Sequence, residues 1–339
     1  MNRRTFLATL VALPWSGAHA GETATPKVHV FGRLPAPGRV RRVFAAGPPA
    51  AVLAHVLAAD KLLGWPQQLP DEARNWLAPG VRDRPFLGRL AGRGSTMPLE
   101  KLLSLAPDLI LDTGTVDATH LSTAEGIHAR TGLPYVVLPG RLTDSPWQLH
   151  EAGRMLGVPA RGELLARAAG GKLGAAKARR DRAATKPPRA YLARGADGLE
   201  TVPAGSINAE VLELAGGVNV ANGPGGNVAR VSLEQVLSWS PEVVITQDAG
   251  FHARALESAT WRRLPALRDG RFHLAPSLPF GWLDGPPGVN RLIGLPWLVS
   301  RLHGATADDD QAAEALAFHR LFYGYAPDRR AFETLLGNA

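Results

Sequence analysis

The chain has 339 residues, 45% of them apolar and 20% charged, with a formal charge of +8 and no cysteine. That length suits two domains of ordinary size, each able to bury a core. The absence of cysteine excludes disulfide staples and a thiolate nucleophile, the modest basic excess is weak ground for nucleic acid, and no apolar run reaches the roughly 18 residues of a membrane span.

The chain opens Met1-Asn2-Arg3-Arg4-Thr5-Phe6-Leu7, continues through a short apolar run to Leu13, and reaches Ala18-His19-Ala20. A charged start, an apolar stretch and an A-x-A site predict a signal peptide over residues 1–20, cleaved near Ala20. Arg3-Arg4 before Phe6-Leu7 fits a twin-arginine export signal, although an ordinary secretory signal with two arginines reads the same way. Either route predicts a soluble periplasmic protein without a lipid-anchored cysteine. Its charge, without Arg3 and Arg4, is +6, which suits an anionic small ligand better than nucleic acid. Residues 21–39, polar and proline-containing, read as a flexible leader.

Val40–Ala45 then predicts a strand, Ala50–Ala59 a helix, and Leu62–Trp65 a second short strand. Residues 66–94 form a long Pro-, Gly- and Arg-rich connection of the kind that is usually functional or mobile. A helix over 99–105 leads to a strand ending near Leu111, followed by a loop to His120, a helix over 123–131 and a strand at 135–138. A helix over 144–156 precedes the longest helical candidate, from residue 160 to about 184, weakened by Gly170, Gly171 and Gly174 and stopped by Pro187-Pro188. The order then restarts: strand 190–193, a loop over 194–206, helix 208–215, a Gly-rich run at 222–227, a helix and strand to Ile245, a loop over 247–254, and a strand at 272–275. A Pro- and Gly-rich loop over 276–287, a helix over 290–303 interrupted by Pro296, and helices near 308–323 and 328–336 finish the chain.

One segment occurs twice. Pro98-Leu99-Glu100-Lys101-Leu102-Leu103-Ser104-Leu105-Ala106-Pro107-Asp108-Leu109-Ile110-Leu111 returns as Ser232-Leu233-Glu234-Gln235-Val236-Leu237-Ser238-Trp239-Ser240-Pro241-Glu242-Val243-Val244-Ile245. In each copy a short helix starts with an acid in its first turn, stops at a proline, and feeds an apolar strand. Ser232 and Gln235 have capping-box spacing. Two copies of half an α/β unit predict two similar lobes.

Catalytic signatures are missing: there is no Gly-x-Ser-x-Gly elbow and no phosphate loop, since Gly223-Pro224-Gly225-Gly226 lacks the lysine. The ten histidines are scattered, whereas a bare zinc or manganese site needs about three of them with a carboxylate.

Two strand–helix lobes joined by one long helix, the repeated Leu-Glu-x-x-Leu…Pro-Asp/Glu segments, Leu214-Ala215-Gly216-Gly217-Val218-Asn219, and Pro279-Phe280-Gly281-Trp282 with Pro286-Pro287 and Asn290-Arg291 resemble the helical-backbone class of ABC-importer substrate-binding proteins, over roughly residues 38–304. The resemblance implies an α/β fold of two Rossmann-like lobes with a central sheet each. These would be an N-terminal lobe over 40–157, a linking helix over 158–187, a C-terminal lobe over 188–304 and C-terminal helices over 305–339. It implies a monomeric binding protein, not an enzyme, with no covalent cofactor, that captures a metal chelate such as an iron-siderophore complex. Haem, cobalamin or a nickel or cobalt chelate are the alternatives. The partner would be an ABC permease dimer with its ATPase; a ligand-presenting sensor subunit is a competing reading.

In that family the ligand lies between the lobes at the carboxyl ends of the strands. The expected contacts are Pro48, Arg89, Arg93, Thr115, Arg194, Phe251, His252, Phe280 and Trp282, with arginines for anionic groups and aromatic faces for an apolar body. No direct metal site is expected, although His120 or His252 would be placed to supply an axial ligand. Asp284 and Arg291 can pair to brace their loop. By their places in the repeat, Glu100 and Glu234 would dock into the permease.

Overall fold

The computed structural model describes residues 26–91, 94–183, 186–221, 228–304 and 310–337. The expected signal peptide with its cleavage site, the Gly-rich run at 222–227 and Arg93 lie outside the described residues.

The strands in chain order are β1 (His29–Phe31), β2 (Val43–Ala45), β3 (Leu109–Gly114), β4 (Tyr135–Pro139), β5 (Arg189–Ala193), β6 (Glu200–Thr201), β7 (Val218–Asn219), β8 (Ala229–Arg230), β9 (Val243–Thr246) and β10 (Phe272–Leu274). Among the described residues, one sheet has the order β1-β4-β3-β2 and the other β10-β9-β5-β7, while β6 and β8 form a small ribbon. All pairings within the two sheets are parallel except that of β1 with β4. The expected leader is thus corrected at His29–Phe31, which forms an antiparallel edge strand against Tyr135–Val137. Three residues of alternating His, Val and Phe are too short a run to separate from polar coil.

Both sheets are covered on both faces, and the central strands are accordingly near-continuous apolar runs. Val43, Ala45, Leu109, Leu111, Val136 and Leu138 point inward, as do Ala190, Leu192, Val243 and Ile245 of the second sheet, so one continuous core joins the two sheets. Phe44, Ile110, Tyr135 and Val137 point to the outer face of the first sheet; Tyr191, Ala193 and Val244 do the same in the second. The helix Pro159–Ala183 spans the join. Gly170, Gly171 and Gly174 would meet nothing within 4 Å if they carried a Cβ, so they sit on its open side and leave the buried stripe of Leu165, Ala166, Ala169 and Ala176 intact. Pro296 likewise stays inside the helix Arg291–His303. Burial of Leu292, Ile293, Leu295, Trp297 and Leu298 around it, at about 1.5–3 kcal/mol each, offsets a proline cost of about 3 kcal/mol.

The two repeat copies adopt the same arrangement down to single atoms. The short helices Leu99–Ser104 and Leu233–Trp239 both end in a residue forced to positive φ before the proline, Ala106 at 42° and Ser240 at 46°. The acid after each proline then grips the start of the neighbouring strand. Asp108 Oδ2 accepts from Arg42 N at 2.9 Å and Glu242 Oε2 from Arg189 N at 2.8 Å. In return, each arginine side chain caps the helix: Arg42 Nη2 donates to Leu105 O at 2.6 Å and Arg189 Nη2 to Trp239 O at 2.5 Å. Repeated sequence therefore encodes a repeated strand-start clamp, with a cation on the carbonyl end of each helix.

The C-terminal segment, helices Gln311–Phe318 and Arg329–Gly337 with the π-helical stretch His319–Tyr323 between them, closes over the first lobe through an aromatic cluster. His55 stacks on Tyr323 at 5.6 Å and meets Trp65 edge-on at 5.9 Å. His319 meets Trp76, Phe332 and Tyr323 at 5.5, 4.8 and 4.8 Å. All four ring nitrogens are buried without a hydrogen-bond partner among the described residues. Burial, with Arg84 and Arg161 adding to it, lowers the His55 pKa to about 4, and burial, with His55 adding to it, lowers that of His319 to about 3.

Both histidines are neutral in the folded protein, whereas in the unfolded chain they titrate near 6.5. Their contribution is therefore flat above about pH 6.5, and stability falls as pH drops from 6.5 towards 4, by roughly 1.4 kcal/mol per unit for each histidine. Thermal melts across that window should show this slope, and the double variant His55→Leu/His319→Leu should flatten it. An unchanged slope in the double variant would assign the acid sensitivity to carboxylates instead.

Candidate functional site

The carboxyl ends of β5 and β9 open onto a cavity of about 250 Å³ lined by Leu192, Ala193, Arg194, Gly195, Val202, Ile245, Thr246, Gln247, Asp248, Leu283 and Asp284. All of these belong to the second sheet and its loops. Arg194 follows directly on β5, where the backbone turns into the β6–β8 ribbon and pairs Arg194 N with Glu200 O at 2.8 Å. Its side chain is part-buried, with Nε 3.4 Å from Asp284 Oδ2. Nη1 is fully buried and has no hydrogen-bond partner among the described residues. Asp284 is held from the other side: its Oδ1 accepts from Asn208 Nδ2 at 2.8 Å and from Gly285 N at 2.7 Å. Gln247 pins the same loop, since Nε2 donates to Asp284 O at 2.7 Å and Oε1 accepts from Leu283 N at 3.0 Å.

Of the eight expected contact residues that are described, the structure brings Arg194 alone to this cavity. Phe251 is corrected. Asp248 caps the helix Ala249–Glu257 by accepting from Phe251 N at 2.7 Å, which converts the expected loop into a helix and turns the ring into the outer core. There it lies 4.9 Å from Trp261 and 5.8 Å from Phe272. His252, on the same helix, packs its ring 4.5 Å from Phe272. Trp282 is a core residue at 2% exposure: its Nε1 donates to Leu278 O at 3.1 Å, and it shares a crevice with Lys172, Ile293, Pro296 and Trp297 on the far side of the loop. Phe280 and Pro48 line a narrow apolar crevice with Trp65 and Pro286. Arg89 is half-buried and binds Gly94 O in its own loop at 3.1 Å. Thr115 is exposed.

His120 does not have a ring nitrogen to offer a metal. Nε2 lies 2.7 Å from Asp112 Oδ2 and Nδ1 2.5 Å from Thr115 O, while Tyr135 donates its hydroxyl to the same carboxylate oxygen at 2.8 Å. The hydrogen bond to Asp112 raises the His120 pKa to about 9, against the opposing effect of partial burial. The side chain is an imidazolium at neutral pH, and the axial-ligand expectation is corrected for this residue. Among the described residues, no group of three or more His, Asp or Glu converges as a metal site.

The expected Asp284–Arg291 brace is also replaced. Arg291, fully buried, donates from Nη1 to Ile207 O at 2.6 Å, from Nη2 to Gly140 O at 3.2 Å and from Nε to Gly288 O at 3.2 Å. Its Nη2 lies 3.8 Å from Glu210 Oε2, and that carboxylate oxygen accepts from Leu142 N at 2.6 Å. Gly140 and Leu142 follow β4 of the first sheet, so this junction ties the two lobes beside the cavity. Sequence reasoning missed Glu210, Gln247 and Thr246. Little in the sequence marks Glu210, since its helix Glu210–Leu214 carries a second acid, Glu213, and burial of Glu210 alone sets the two apart.

Two parallel-sheet lobes bridged by one helix, with a cavity at the carboxyl ends of the strands, define a class of solute-binding proteins. The chain belongs to the periplasmic binding protein family, which matches residues 67–278, more than half its length. It is 27% identical over 301 residues to the molybdate-binding protein of Haemophilus influenzae, covering 80% of this chain and 81% of that one. It is 28% identical over 193 residues to the vitamin B12-binding protein of Vibrio parahaemolyticus, covering 56% and 66%. The fold superposes on an ABC transporter solute-binding protein from Sulfurospirillum deleyianum with a TM-score of 0.81 at 25% identity, covering 90% of this chain and 95% of the other. The protein is a binding component of an ABC importer and not an enzyme, and its family carries transported ligands non-covalently. No helix among the described residues is long and apolar enough to cross a membrane.

Proposed function

We propose that the protein captures a compact metal oxyanion of the molybdate class in the cavity beside Arg194 and delivers it, as a monomer, to an ABC permease dimer and its ATPase. The observation that carries this reading is the Arg194 guanidinium, held at the cavity wall with a buried Nη1 that has no hydrogen-bond partner among the described residues. An oxyanion would satisfy that donor by a charge-assisted hydrogen bond. The size of the cavity supports the same choice, since about 250 Å³ is below the roughly 300–1,000 Å³ typical of sites for larger organic ligands. The long match to a molybdate-binding relative agrees with it. An iron-siderophore complex, haem or cobalamin would need the cavity to widen, and would draw on the loop arginines rather than on Arg194 alone.

Asp284 plays a reciprocal part. Its carboxylate lies 3.4 Å from Arg194 Nε, neutralises the guanidinium in the empty site and competes with an incoming anion. Arg194→Gln should therefore weaken molybdate binding by about 10- to 100-fold, while Asp284→Asn, which keeps an acceptor for Asn208, should tighten it. Tryptophan fluorescence titrations with molybdate, tungstate and a ferric hydroxamate give the readout. Saturation by the ferric chelate at micromolar concentration with no response to either oxyanion would overturn the oxyanion reading and restore the siderophore one.

For docking, the reading rests on the repeat. Glu100 and Glu234 are both exposed in the first turns of equivalent helices, and their neighbours Lys101 and Gln235 do not match in charge. Glu234 is held below the usual carboxylate range by its own backbone N–H and by the Ser232 hydroxyl. Surface ion pairs are worth about 0–1 kcal/mol in isolation, but pairs desolvated at an interface contribute more. Glu100→Arg/Glu234→Arg should leave ligand affinity and melting temperature nearly unchanged while abolishing uptake in vesicles carrying the cognate permease. Wild-type transport by the double variant would reduce the two acids to ordinary helix-start residues.

A further inference from the structure

The largest cavity described here is not the one beside Arg194. About 460 Å³ opens at the opposite, amino-terminal end of the second sheet, lined by Lys186, Pro188, Glu242, Arg271, His273, Arg301, Leu302, His303 and Gly304. Pro188, Glu242 and Arg271 each immediately precede one of the parallel strands β5, β9 and β10, and Arg301 to Gly304 end the helix Arg291–His303. Three permanent cations thus face one carboxylate. That carboxylate is already engaged, because Glu242 Oε2 accepts from Arg189 N at 2.8 Å.

Cations at a helix end have an ordinary explanation, since the last carbonyls carry about half a negative charge. Here that role is filled by Arg271, whose Nη2 donates to Leu302 O at 3.0 Å. Arg301 is left over. Its guanidinium lies 5.3 Å from the centre of the Trp297 ring, a stacking contact that fixes its plane. Its Nε is buried without a hydrogen-bond partner among the described residues, and no acidic side chain among them pairs with it. His273 registers the same excess of positive charge: burial first, then Arg301, Arg271 and His252, lowers its pKa to about 4. A concave site with two guanidinium groups, one oriented by an aromatic face and each with donors to spare, is built for a tetrahedral oxyanion that accepts several hydrogen bonds at once.

We propose that this second cavity is a binding site for a phosphate-class oxyanion, recognised by Arg271 and Arg301 with Lys186 at its mouth, and separate from the transported ligand's cavity. Two sources carry that chemistry in a periplasm, free phosphate or pyrophosphate and the phosphoryl headgroup of an anionic lipid. On either source, the occupant neutralises a cluster that the fold leaves uncompensated at the end of the lobe remote from the cargo.

The test is calorimetric titration of the whole protein with inorganic phosphate and with pyrophosphate, together with flotation on vesicles of phosphatidylglycerol and phosphatidylcholine. Wild type should bind at least one of these three probes. The Arg271→Lys/Arg301→Gln variant should lose at least about tenfold in affinity for that probe, with an unchanged circular dichroism spectrum. Arg194→Gln should bind it as wild type does, which separates this site from the cargo cavity even if the oxyanion reading of that cavity fails. Binding of the soluble anions without flotation assigns the free ion, and flotation that pyrophosphate does not displace assigns the headgroup. No binding of any probe by wild type, or binding abolished by Arg194→Gln and retained by the Arg271/Arg301 variant, would overturn the proposal.

Discussion

The structure turns on one buried guanidinium. Arg291 is removed from solvent entirely, which is costly for a permanent charge and is tolerated only when its donors are satisfied and a counter-charge is near. Both conditions are met by groups from distant parts of the chain: carbonyls of Gly140, Ile207 and Gly288, and the carboxylate of Glu210. The first of these belongs to one lobe and the rest to the other. Because Glu210 also receives Leu142 N, separating the lobes would strand a cation, an anion and several backbone groups together. Gly140 is also tightly enclosed, since an added Cβ would come within 2.7 Å of Gly114 Cα in its own lobe and 2.9 Å of Ile207 Cδ1 across the join. Such a join, backed by the helix Pro159–Ala183, resists hinge motion.

Duplication of the strand-start clamp gives the lobes the same frame, and the difference between them lies at the other ends of the strands. At the carboxyl end of β3, the space is filled by Asp112, the His120 imidazolium and the Tyr135 hydroxyl, which satisfy one another. At the matching end of β9, Thr246 and Gln247 border an open cavity in which Arg194 keeps a donor unsatisfied. One lobe is therefore closed by internal electrostatics and the other keeps a cavity beside a guanidinium donor without a partner among the described residues. The positive charge of the chain is distributed accordingly, with Arg194 at one end of the second sheet and Arg271 and Arg301 at the other.

The fold was legible where periodicity and punctuation carry it. Continuous apolar runs located the central strands, prolines marked the helix stops, and the repeated segment announced two similar lobes. The glycines at 170, 171 and 174 misled only as to strength, because propensity is a weak prior beside the burial of the opposite stripe. The site was less legible. Phe251 and Trp282 stand among Gly, Asp and Pro residues that suggest solvent-facing loops, yet a helix cap at Asp248 and the inward fold of the 276–288 segment bury both rings. Their local sequence contains no periodicity from which that could be read. Arg194 borders the cavity at a place open to sequence reading, because it directly follows a strand at a carboxyl end. Its partner Asp284 could equally pair with Arg291 on sequence alone, since separation along the chain says nothing about which of two cations a carboxylate meets.

If the Arg291 junction fixes the lobes, the cargo cavity fills without a hinge. A chain with no cysteine accepts two spin labels cleanly, at Lys101→Cys and Gln235→Cys on the exposed faces of the equivalent helices. Pulsed electron–electron distance measurement should give one narrow distribution that moves by no more than about 1–2 Å on saturation with molybdate, and that broadens when Arg291→Met is added. A ligand-induced shift of several ångströms with Arg291 intact, or an unbroadened distribution without it, would contradict the account.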